Sequence, residues 1–514
     1  MLRALSVVGS MTLLSRILGF IRDMVIAQVF GASASADAFL VAFKIPNFMR
    51  RLFAEGAFSQ AFVPVLNEYK TQRPAEVQTL IDQVAGSLSA ILGLITLLGI
   101  LAAPLLILLF APGFTQSPDK YALSVDMLRI TFPYLLFISL TAFAGGILNT
   151  YGRFSVPAFT PVLLNLSMIA AALWFAPWFE QPIMALAWGV LLAGVLQLAF
   201  QLPFLYRLRQ LPRPRWHWRW GKNKAAPHEG VGRILRLMLP VMFAVSVTQI
   251  SLLIDTLMAS FLETGSIAWL YYSDRLLEFP IGIFGVALAT VVLPQLSRLV
   301  AEQAQTEYEK TLDWSLRWVF LVTLPSAIGL ILLSEPLLTT LFQHGEFSAH
   351  DVSMTSRSLI AFSVGLPGFV LIKILASGFF ARQNTRTPTK VAVIAMLTNI
   401  TLNLLLIWPL AHAGLALATA LAALVNAGLL YYYLCQQGVF KPRPGWWRFF
   451  LRLAAANIGL GLLLWWGVQE TAWWLAAATV TRAWMLMAWV GAGILVYFGT
   501  LWLGGLRIQT MLRP

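Results

Sequence analysis

Long apolar stretches without a charged residue constrain this sequence more than any other feature. Residues 84–110 and 454–468 contain no charge. Only 11% of the 514 residues are charged, whereas a soluble protein of this length would have roughly 25%. An α-helix needs about 20 apolar residues to cross the hydrocarbon core of a bilayer. The chain is therefore predicted to be a membrane protein.

The apolar stretches predict an all-α, polytopic fold of about fourteen transmembrane helices. The predicted helices cover residues 5–30, 37–66, 80–110, 122–150, 156–177, 183–208, 232–262, 266–298, 315–343, 353–381, 388–410, 414–436, 447–469 and 480–506. A spanning β-barrel would instead show short segments of alternating hydrophobicity. The first helix carries Arg16, Arg22 and Asp23 and lacks a small-residue cleavage site, so we interpret it as a retained span and not as a signal peptide.

Basic residues are concentrated in alternate loops, which predicts the orientation in the membrane. With the N-terminus inside, the inner loops hold Arg153, the segment 207–224, Lys310, the segment 382–390 and the segment 441–452, while the outer loops hold mostly acids. This distribution follows the positive-inside rule, so both termini are predicted to lie in the cytoplasm. It also accounts for the net charge of +14 without nucleic acid as a partner. Arg482 is the main exception.

An internal repeat crosses the basic loop Arg207–Gly230. Pro64 and Pro294 are separated by 230 residues, and Pro157 and Pro388 by 231, each by subtraction. These offsets predict two six-helix lobes of the same orientation, related by a pseudo-two-fold axis along the membrane normal. The predicted divisions are an N-terminal lobe at 1–208, a basic cytoplasmic loop at 209–231, a C-terminal lobe at 232–436, and two additional helices with a cytoplasmic tail at 437–514.

Charged side chains inside predicted spans mark candidate functional sites, because a charge in lipid is costly unless it faces a cavity or a partner. The candidates for substrate binding are Arg16, Arg22, Asp23, Asp37, Lys44, Arg50, Arg51, Glu55, Asp274 and Arg275. Four of them follow steps of seven, seven and four residues, so a regular helix places them on one face: Asp37, Lys44, Arg51 and Glu55. In the eighth helix, Asp274 and Glu278 lie one turn apart and are expected to hold Arg275.

Two interpretations of these arginines differ in what the side chains do. A basic side chain near a helix end reaches the interface and anchors the helix, and Arg51 fits that interpretation as well as the functional one. Arg22 lies well inside its span. Because guanidinium groups stay charged when buried and bind phosphate through two hydrogen bonds, the expected ligand is an anion, with phosphate or pyrophosphate favoured.

A second group of polar residues is a candidate Na⁺ site. It consists of Asp255, Asn399, Asn403 and Thr419, an acid with several neutral oxygens, which suits a hard cation. Ordinary hydrogen bonding between helices is the alternative interpretation. The sequence has no Walker motif, Ser/His/Asp spacing or metal-ligand cluster, so neither an enzyme nor a bound cofactor is expected.

The chain closely resembles the MurJ (MviN) lipid II flippases of the multidrug/oligosaccharidyl-lipid/polysaccharide exporter superfamily in four segments: SRILGFIRD, ADAFLVAFKIPNFMRRLFAEGAFSQAFVP, NTYGRFSVPAFTP and YYSDRLLEFPIGIFGVALATVVLP. The resemblance implies two lobes around a cationic cavity, and transport of lipid II, the undecaprenyl-pyrophosphate-linked peptidoglycan precursor. It carries the cavity arginines onto Arg16, Arg22, Arg50 and Arg275, and it suggests roles for Asp37 near the outer mouth and for Glu55. The last two helices would form a groove for the lipid tail.

The expected activity is therefore transport by alternating access in the cytoplasmic (inner) membrane of a bacterium, in service of cell-wall biogenesis and cell shape. Lipid II and membrane lipids are the expected partners, together with other cell-wall synthesis proteins. The membrane potential or Na⁺ is expected to couple to the cycle. The alternatives are a flippase for another lipid-linked glycan and a cation-coupled multidrug antiporter, although an exporter of cationic drugs should line its cavity with acids.

Overall fold

A computed structural model describes residues 2–51, 58–215 and 229–506, without the side chains of residues 2–7, 239–241 and 243–249. The described residues fold into helices and connecting turns, with no strand among them. They form two compact units, Met1–Gly265 (unit 1) and Ser266–Pro514 (unit 2). The predicted divisions at 1–208, 209–231, 232–436 and 437–514 follow the repeat in the sequence and stay a prediction.

Within the described ranges, each unit has ten α-helices. In unit 1 they are α1 Leu2–Phe30, α2 Ala34–Arg50, α3 Ser59–Gln72, α4 Val77–Leu101, α5 Ala103–Phe110, α6 Pro118–Thr131, α7 Tyr134–Thr150, α8 Ser155–Ala170, α9 Met184–Arg207 and α10 Glu229–Ala259. In unit 2 they are α11 Ser266–Pro280, α12 Ala287–Ala301, α13 Gln305–Leu332, α14 Ser334–Leu341, α15 Ala349–Val364, α16 Leu366–Phe380, α17 Arg386–Gln436, α18 Trp446–Gly467, α19 Thr471–Ala476 and α20 Thr479–Leu503. Two π-helical turns, Ala171–Phe175 and Ile281–Val286, extend α8 and join α11 to α12.

Ten helical stretches of the described chain are long and apolar enough to cross a membrane. One of them, α17, is 51 residues long and contains a break at Ala411, where φ is 48° and ψ is −129°. Leu94, Leu97 and Leu101 illustrate the surface of such helices, because they share one face of α4 and are each more than half exposed. The all-α membrane fold is confirmed, while the count of fourteen spanning helices stays a prediction.

The core of unit 1 lies where α3, α4 and α7 meet, and aromatic rings fill it. The ring of Phe62 is fully buried, and its centroid lies 5.1 Å from those of Phe58 and Phe143. A Cβ atom at Gly146 would lie 3.1 Å from the Phe62 ring. Glycine at this position of α7 therefore lets the ring pack directly against the helix backbone.

Among the described residues, the core of unit 2 has three hydrophobic clusters, and buried tyrosines connect helices in two of them. Tyr308 of α13 donates its hydroxyl to the carbonyl of Gly378 on α16, at 2.8 Å. Tyr497 of α20 donates to the carbonyl of Leu321 on α13, at 2.7 Å. Each phenol satisfies its one buried donor on a neighbouring helix, which fixes how the two helices pack.

Each half of the repeat has an aspartate at the equivalent position. It accepts a hydrogen bond from the backbone just after the last predicted helix of that half, which is the sixth in one and the twelfth in the other. Asp82 of α4 accepts from the N–H of Arg213 at 2.9 Å, and Asp313 of α13 accepts from the N–H of Arg443 at 3.1 Å. The offsets are 231 and 230 by subtraction, as for the repeated prolines. Both carboxylates are buried, 3% and 4% exposed. The two units thus hold the end of a six-helix segment by the same contact.

Candidate anion-binding site

Arg22 lies in the C-terminal third of the 29-residue helix α1, where it is buried and 8% exposed. Its Nε and Nη2 donate to Oδ1 of Asp23, at 2.9 and 2.6 Å, and its Nη1 donates to Oδ1 of Asn165 on α8, at 3.1 Å. Asp23 is 1% exposed. The carboxylate and the amide therefore fix the guanidinium on two sides in an apolar helix pair.

Arg16, Arg50 and Arg51 have surroundings unlike those of Arg22. Arg16 is exposed on α1, while Arg50 and Arg51 are half-buried at the end of α2. Nε of Arg50 donates to Oδ1 of Asn47, at 2.8 Å, within the same helix. Glu55, which the sequence places on the same face as Arg51, lies outside the described residues.

Asp37 is a buried acceptor, 1% exposed, near the start of α2. Its Oδ2 accepts from Nζ of Lys120 on α6 and from the N–H of Gly265, both at 2.8 Å. Lys120 also lies over the ring of Phe114, 4.2 Å from its centroid. Gly265 has a φ of 98°, a conformation that favours glycine. Asp37 therefore joins α2, α6 and the last residue of unit 1.

Lys44 lies two turns further along α2 and contacts a different helix. Its Nζ donates to Oγ1 of Thr256 on α10, and that hydroxyl donates to the carbonyl of Leu252 at 2.9 Å. Asp37 and Lys44 thus take part in two separate groups of contacts within unit 1.

In unit 2, Arg275 and Glu278 form an ion pair on α11, as the sequence predicted for Glu278. Nη1 of Arg275 lies 2.6 Å from Oε2 of Glu278, and the guanidinium lies 4.8 Å from the centroid of the Tyr271 ring. The side chain of Arg275 is 27% exposed. A guanidinium stacked on an aromatic ring keeps its orientation while part of it remains accessible. Asp274 precedes it on the same helix.

Three members of the predicted Na⁺ set are hydrogen-bonded in unit 2. Nδ2 of Asn399 donates to Oγ1 of Thr419 at 3.1 Å, and Nδ2 of Asn403 donates to Oδ1 of Asn399 at 3.3 Å. Both asparagines are buried. The fourth member, Asp255, lies on α10 of unit 1. The bond between Asn399 and Thr419 joins the two segments of α17 on either side of the break at Ala411, which fits the alternative interpretation of hydrogen bonding between helices. Na⁺ binding stays a prediction.

Sequence reasoning missed Asn165, Lys120 and Gly265. Asn165 is a single amide in an apolar run, a signal that can mark an interhelical hydrogen bond. Lys120 follows Pro118 in a predicted outer loop, where a lysine needs no special explanation. For Gly265, the sequence contains no signal that its N–H is bound by an aspartate far away in the chain.

Comparison with known proteins decides the family. The family model for the lipid II flippase MurJ matches residues 26–484. The chain belongs to the MurJ lipid II flippase family. A protein of Haemophilus influenzae named as a probable lipid II flippase MurJ is 46% identical over 516 residues, which cover 98% of this chain and 99% of that protein. A MurJ lipid II flippase of Burkholderia cenocepacia is 43% identical over 509 residues, 98% of each chain.

Solved structures agree with the MurJ assignment. A lipid II flippase MurJ in an inward closed conformation matches with a TM-score of 0.79 and 28% identity, over 96% of this chain and 97% of that one. An inward-facing multidrug-resistance transporter of the MATE family matches with a TM-score of 0.69 and 14% identity, over 82% and 95%. The second likeness shows that this chain shares its fold with that transporter.

Proposed function

We propose that this chain moves lipid II from the inner to the outer leaflet of a bacterial cytoplasmic membrane by alternating access. Membership of the MurJ family, with relatives above 40% identity along nearly the whole chain, is the observation that carries the proposal. The burial of Arg22 in an apolar helix supports it, because a charge in that position is retained at a cost in free energy.

The proposed ligand group is the pyrophosphate of lipid II. We assign its binding to Arg16, Arg22, Arg50 and Arg275, with Lys44 and Arg51 as further cations. Asp23 orients Arg22 through its carboxylate, Asp274 is proposed to do the same for Arg275, and Asp37 and Glu55 are proposed to act in the cycle. Arginine suits this role because its planar fork of N–H groups matches phosphate oxygens and stays charged at any physiological pH.

The membrane potential is the proposed energy source. Moving one elementary charge through 100 mV changes the free energy by about 2.3 kcal/mol. An inside-negative potential favours outward movement of the pyrophosphate anion, and it favours inward return of an emptied, positively charged site. The transport step itself then needs no catalytic group.

Coupling to Na⁺ is a second part of the proposal, assigned to Asp255, Asn399, Asn403 and Thr419. Replacing K⁺ by Na⁺ at constant ionic strength should raise the melting temperature of the purified protein, because a ligand of the folded state stabilises it. The shift should disappear in Asp255→Asn and persist in Asp126→Asn, an exposed carboxylate on α6. An equal shift in both variants contradicts the assignment.

We further propose that both termini lie in the cytoplasm and that cell-wall synthesis proteins are partners. The alternating basic loops support the orientation. Cysteines placed at positions 153 and 346 in a Cys435→Ser background provide the test. An impermeant thiol reagent added to intact cells should label position 346 and leave position 153 unlabelled. The reverse pattern would invert the proposed topology.

The decisive experiment is depletion of the protein in cells, followed by measurement of lipid II in each leaflet. Outer-leaflet lipid II should fall, and the wild-type chain should restore it. Arg22→Ala and Arg275→Ala should insert into the membrane and fail to restore it, whereas Arg129→Ala, which removes an exposed arginine of α6, should succeed. Unchanged outer-leaflet lipid II after depletion contradicts the proposed function. A different lipid-linked glycan accumulating inside would support a different substrate.

A further inference from the structure

The contact between α1 and α8 centres on a stripe of three residues of α1. Ser15, Gly19 and Arg22 follow steps of four and three residues, so they lie on one face of the helix. α8 packs along this face and contributes Asn165, which is 5% exposed. One amide therefore lies against the backbone and the buried charge of the same helix.

Asn165 uses both ends of its amide on α1. Its Nδ2 donates to the carbonyl of Ser15 at 2.9 Å, and its Oδ1 accepts from Nη1 of Arg22 at 3.1 Å. Helix carbonyls point toward the C-terminus, whereas side chains lean toward the N-terminus. The carbonyl of Ser15 and the guanidinium of Arg22 therefore approach each other near Gly19, where the amide lies.

The two bonds determine which way the amide faces. Only the nitrogen of Asn165 can donate to the Ser15 carbonyl, so the oxygen must face Arg22. A Cβ atom at Gly19 would lie 3.5 Å from Nδ2, an ordinary van der Waals contact, so the amide packs closely against the backbone of α1 at this point. The Ser15 carbonyl of α1 thus orients the Asn165 amide so that its oxygen faces Arg22 of the same helix.

We infer that Asn165 is a positioning residue that sets the orientation of the Arg22 guanidinium for the anionic ligand. Asp23 binds Nε and Nη2, and Asn165 binds Nη1, so the two acceptors together prevent the guanidinium from rotating about the carboxylate. The inference rests on the proposed function, because it assumes that Arg22 binds the pyrophosphate of lipid II.

A purely structural contact between α1 and α8 is the competing explanation, and a double-mutant cycle separates the two. The protein is purified into lipid nanodiscs as the wild type, Asn165→Ala, Arg22→Ala and the double variant, and lipid II binding is titrated for each. Asn165→Ala should weaken binding about tenfold, the effect of one hydrogen bond to a charged group. If Asn165 acts through Arg22, the double variant should bind no more weakly than Arg22→Ala.

Ser167→Ala is the matched control. Ser167 is buried on α8 and donates to the carbonyl of Gly189 on α9 at 2.8 Å, so the variant removes one buried hydrogen bond of α8 that does not involve α1. It should bind lipid II like the wild type. Asn165→Leu serves if Asn165→Ala does not fold. Leucine has the same branched skeleton but neither a donor nor an acceptor, so binding should again fall about tenfold.

Losses that multiply in the double variant would overturn the inference while leaving the proposed function intact, and so would wild-type binding by Asn165→Leu. Wild-type binding by Arg22→Ala would contradict the assigned role of Arg22 and the inference with it. The two failures are therefore distinguishable from the same titrations.

Discussion

At the scale of single residues, buried cationic side chains are stable in this protein because oxygen atoms accept hydrogen bonds from their N–H groups. Arg22 has Asp23 and Asn165, and Lys120 has Asp37. An unpaired charge in such surroundings would cost several kcal/mol, so each acceptor is under strong constraint. Substitution of an acceptor therefore tests whether a charge is held for stability or for transport.

Asp37→Asn should destabilise unit 1. The change leaves the side chain of Lys120, 9% exposed, beside a neutral amide, and breaking a buried pair costs about 3–5 kcal/mol. Thermal unfolding of the purified protein measures the effect as a lower melting temperature. Asp126→Asn on the same helix α6 is the control, because its pair with Arg129 is exposed and should contribute little. Equal melting temperatures for both variants would show that the ion pair between Lys120 and Asp37 does not stabilise the fold.

The same residues show which parts of the site the sequence predicted and which it did not. Arg22 was identifiable because a charge in an apolar run needs a partner. One of its partners, Asp23, is the next residue, but the other, Asn165, lies 143 residues away, and no pattern in one sequence pairs it with Arg22. Asp37 was predicted to act at the outer mouth, but the contact with Gly265 depends on a backbone conformation that a sequence does not display.

At the scale of helices, the sequence predicted the positions of the helical segments but not their interruptions. The predicted helix 80–110 consists of α4 and α5, and the predicted helix 353–381 consists of α15 and α16. Pro104 and Pro367 lie in the first turn after each break, where the missing N–H costs nothing. Pro325, in contrast, lies inside the continuous helix α13. Neighbouring helices decide between the two outcomes, which explains why the sequence alone does not.

Gly19→Ala tests whether α1 must bend during transport. The added Cβ would make only ordinary contacts with Asn165, and alanine stabilises a helix interior by about 1 kcal/mol relative to glycine. We expect a folded protein with an equal or higher melting temperature and slower restoration of outer-leaflet lipid II after depletion. Gly93→Ala in α4, where a Cβ meets nothing within 4 Å, should leave transport unchanged. Full activity of Gly19→Ala would show that bending there is not required.

Arg482 departs from the positive-inside rule because it connects helices of unit 2. It is 7% exposed, and its guanidinium donates to the carbonyls of Thr339 and Leu475, at 3.2 and 2.7 Å, and to Oε1 of Gln343 at 2.7 Å. These contacts join α20 to α14 and α19. An arginine bound to internal carbonyls does not report orientation.

Arg482→Ala should therefore lower stability by about 2 kcal/mol or more, because it leaves buried carbonyls without donors. Denaturation of the purified protein, followed by the fluorescence of its tryptophans, measures the loss. Arg357→Ala, which removes an exposed arginine from α15, is the control and should unfold like the wild type. Identical unfolding of both variants would contradict the structural role of Arg482.

At the scale of the whole molecule, the internal repeat is visible in hydrogen bonds as well as in prolines. Asp82 and Asp313 occupy equivalent positions and bind equivalent backbone groups, although the sequences around them differ. The carboxylate of Asp313 also accepts from Nε1 of Trp446 at 2.8 Å. The same contact in two units indicates that it fixes where the chain leaves a six-helix segment.

Asp82→Ala and Asp313→Ala should consequently have the same kind of effect. Each variant removes a hydrogen bond from a backbone N–H to a carboxylate, and a hydrogen bond to a charged group contributes about 1.5–3 kcal/mol. Limited proteolysis should show faster cleavage near residue 213 in the first variant and near residue 443 in the second. Cleavage that is unchanged in either variant would contradict the equivalence of the two aspartates.

Asp37 accepts a hydrogen bond from the N–H of Gly265, and this bond indicates where the chain can be divided into two fragments that still assemble. A cut in the basic loop at 209–231 would place α10 and Gly265 on the second fragment, although Asp37 and Thr256 bind their partners within unit 1. A cut after Gly265 keeps these contacts in one polypeptide. Co-expressed fragments 1–265 and 266–514 are therefore the pair expected to reconstitute a working protein.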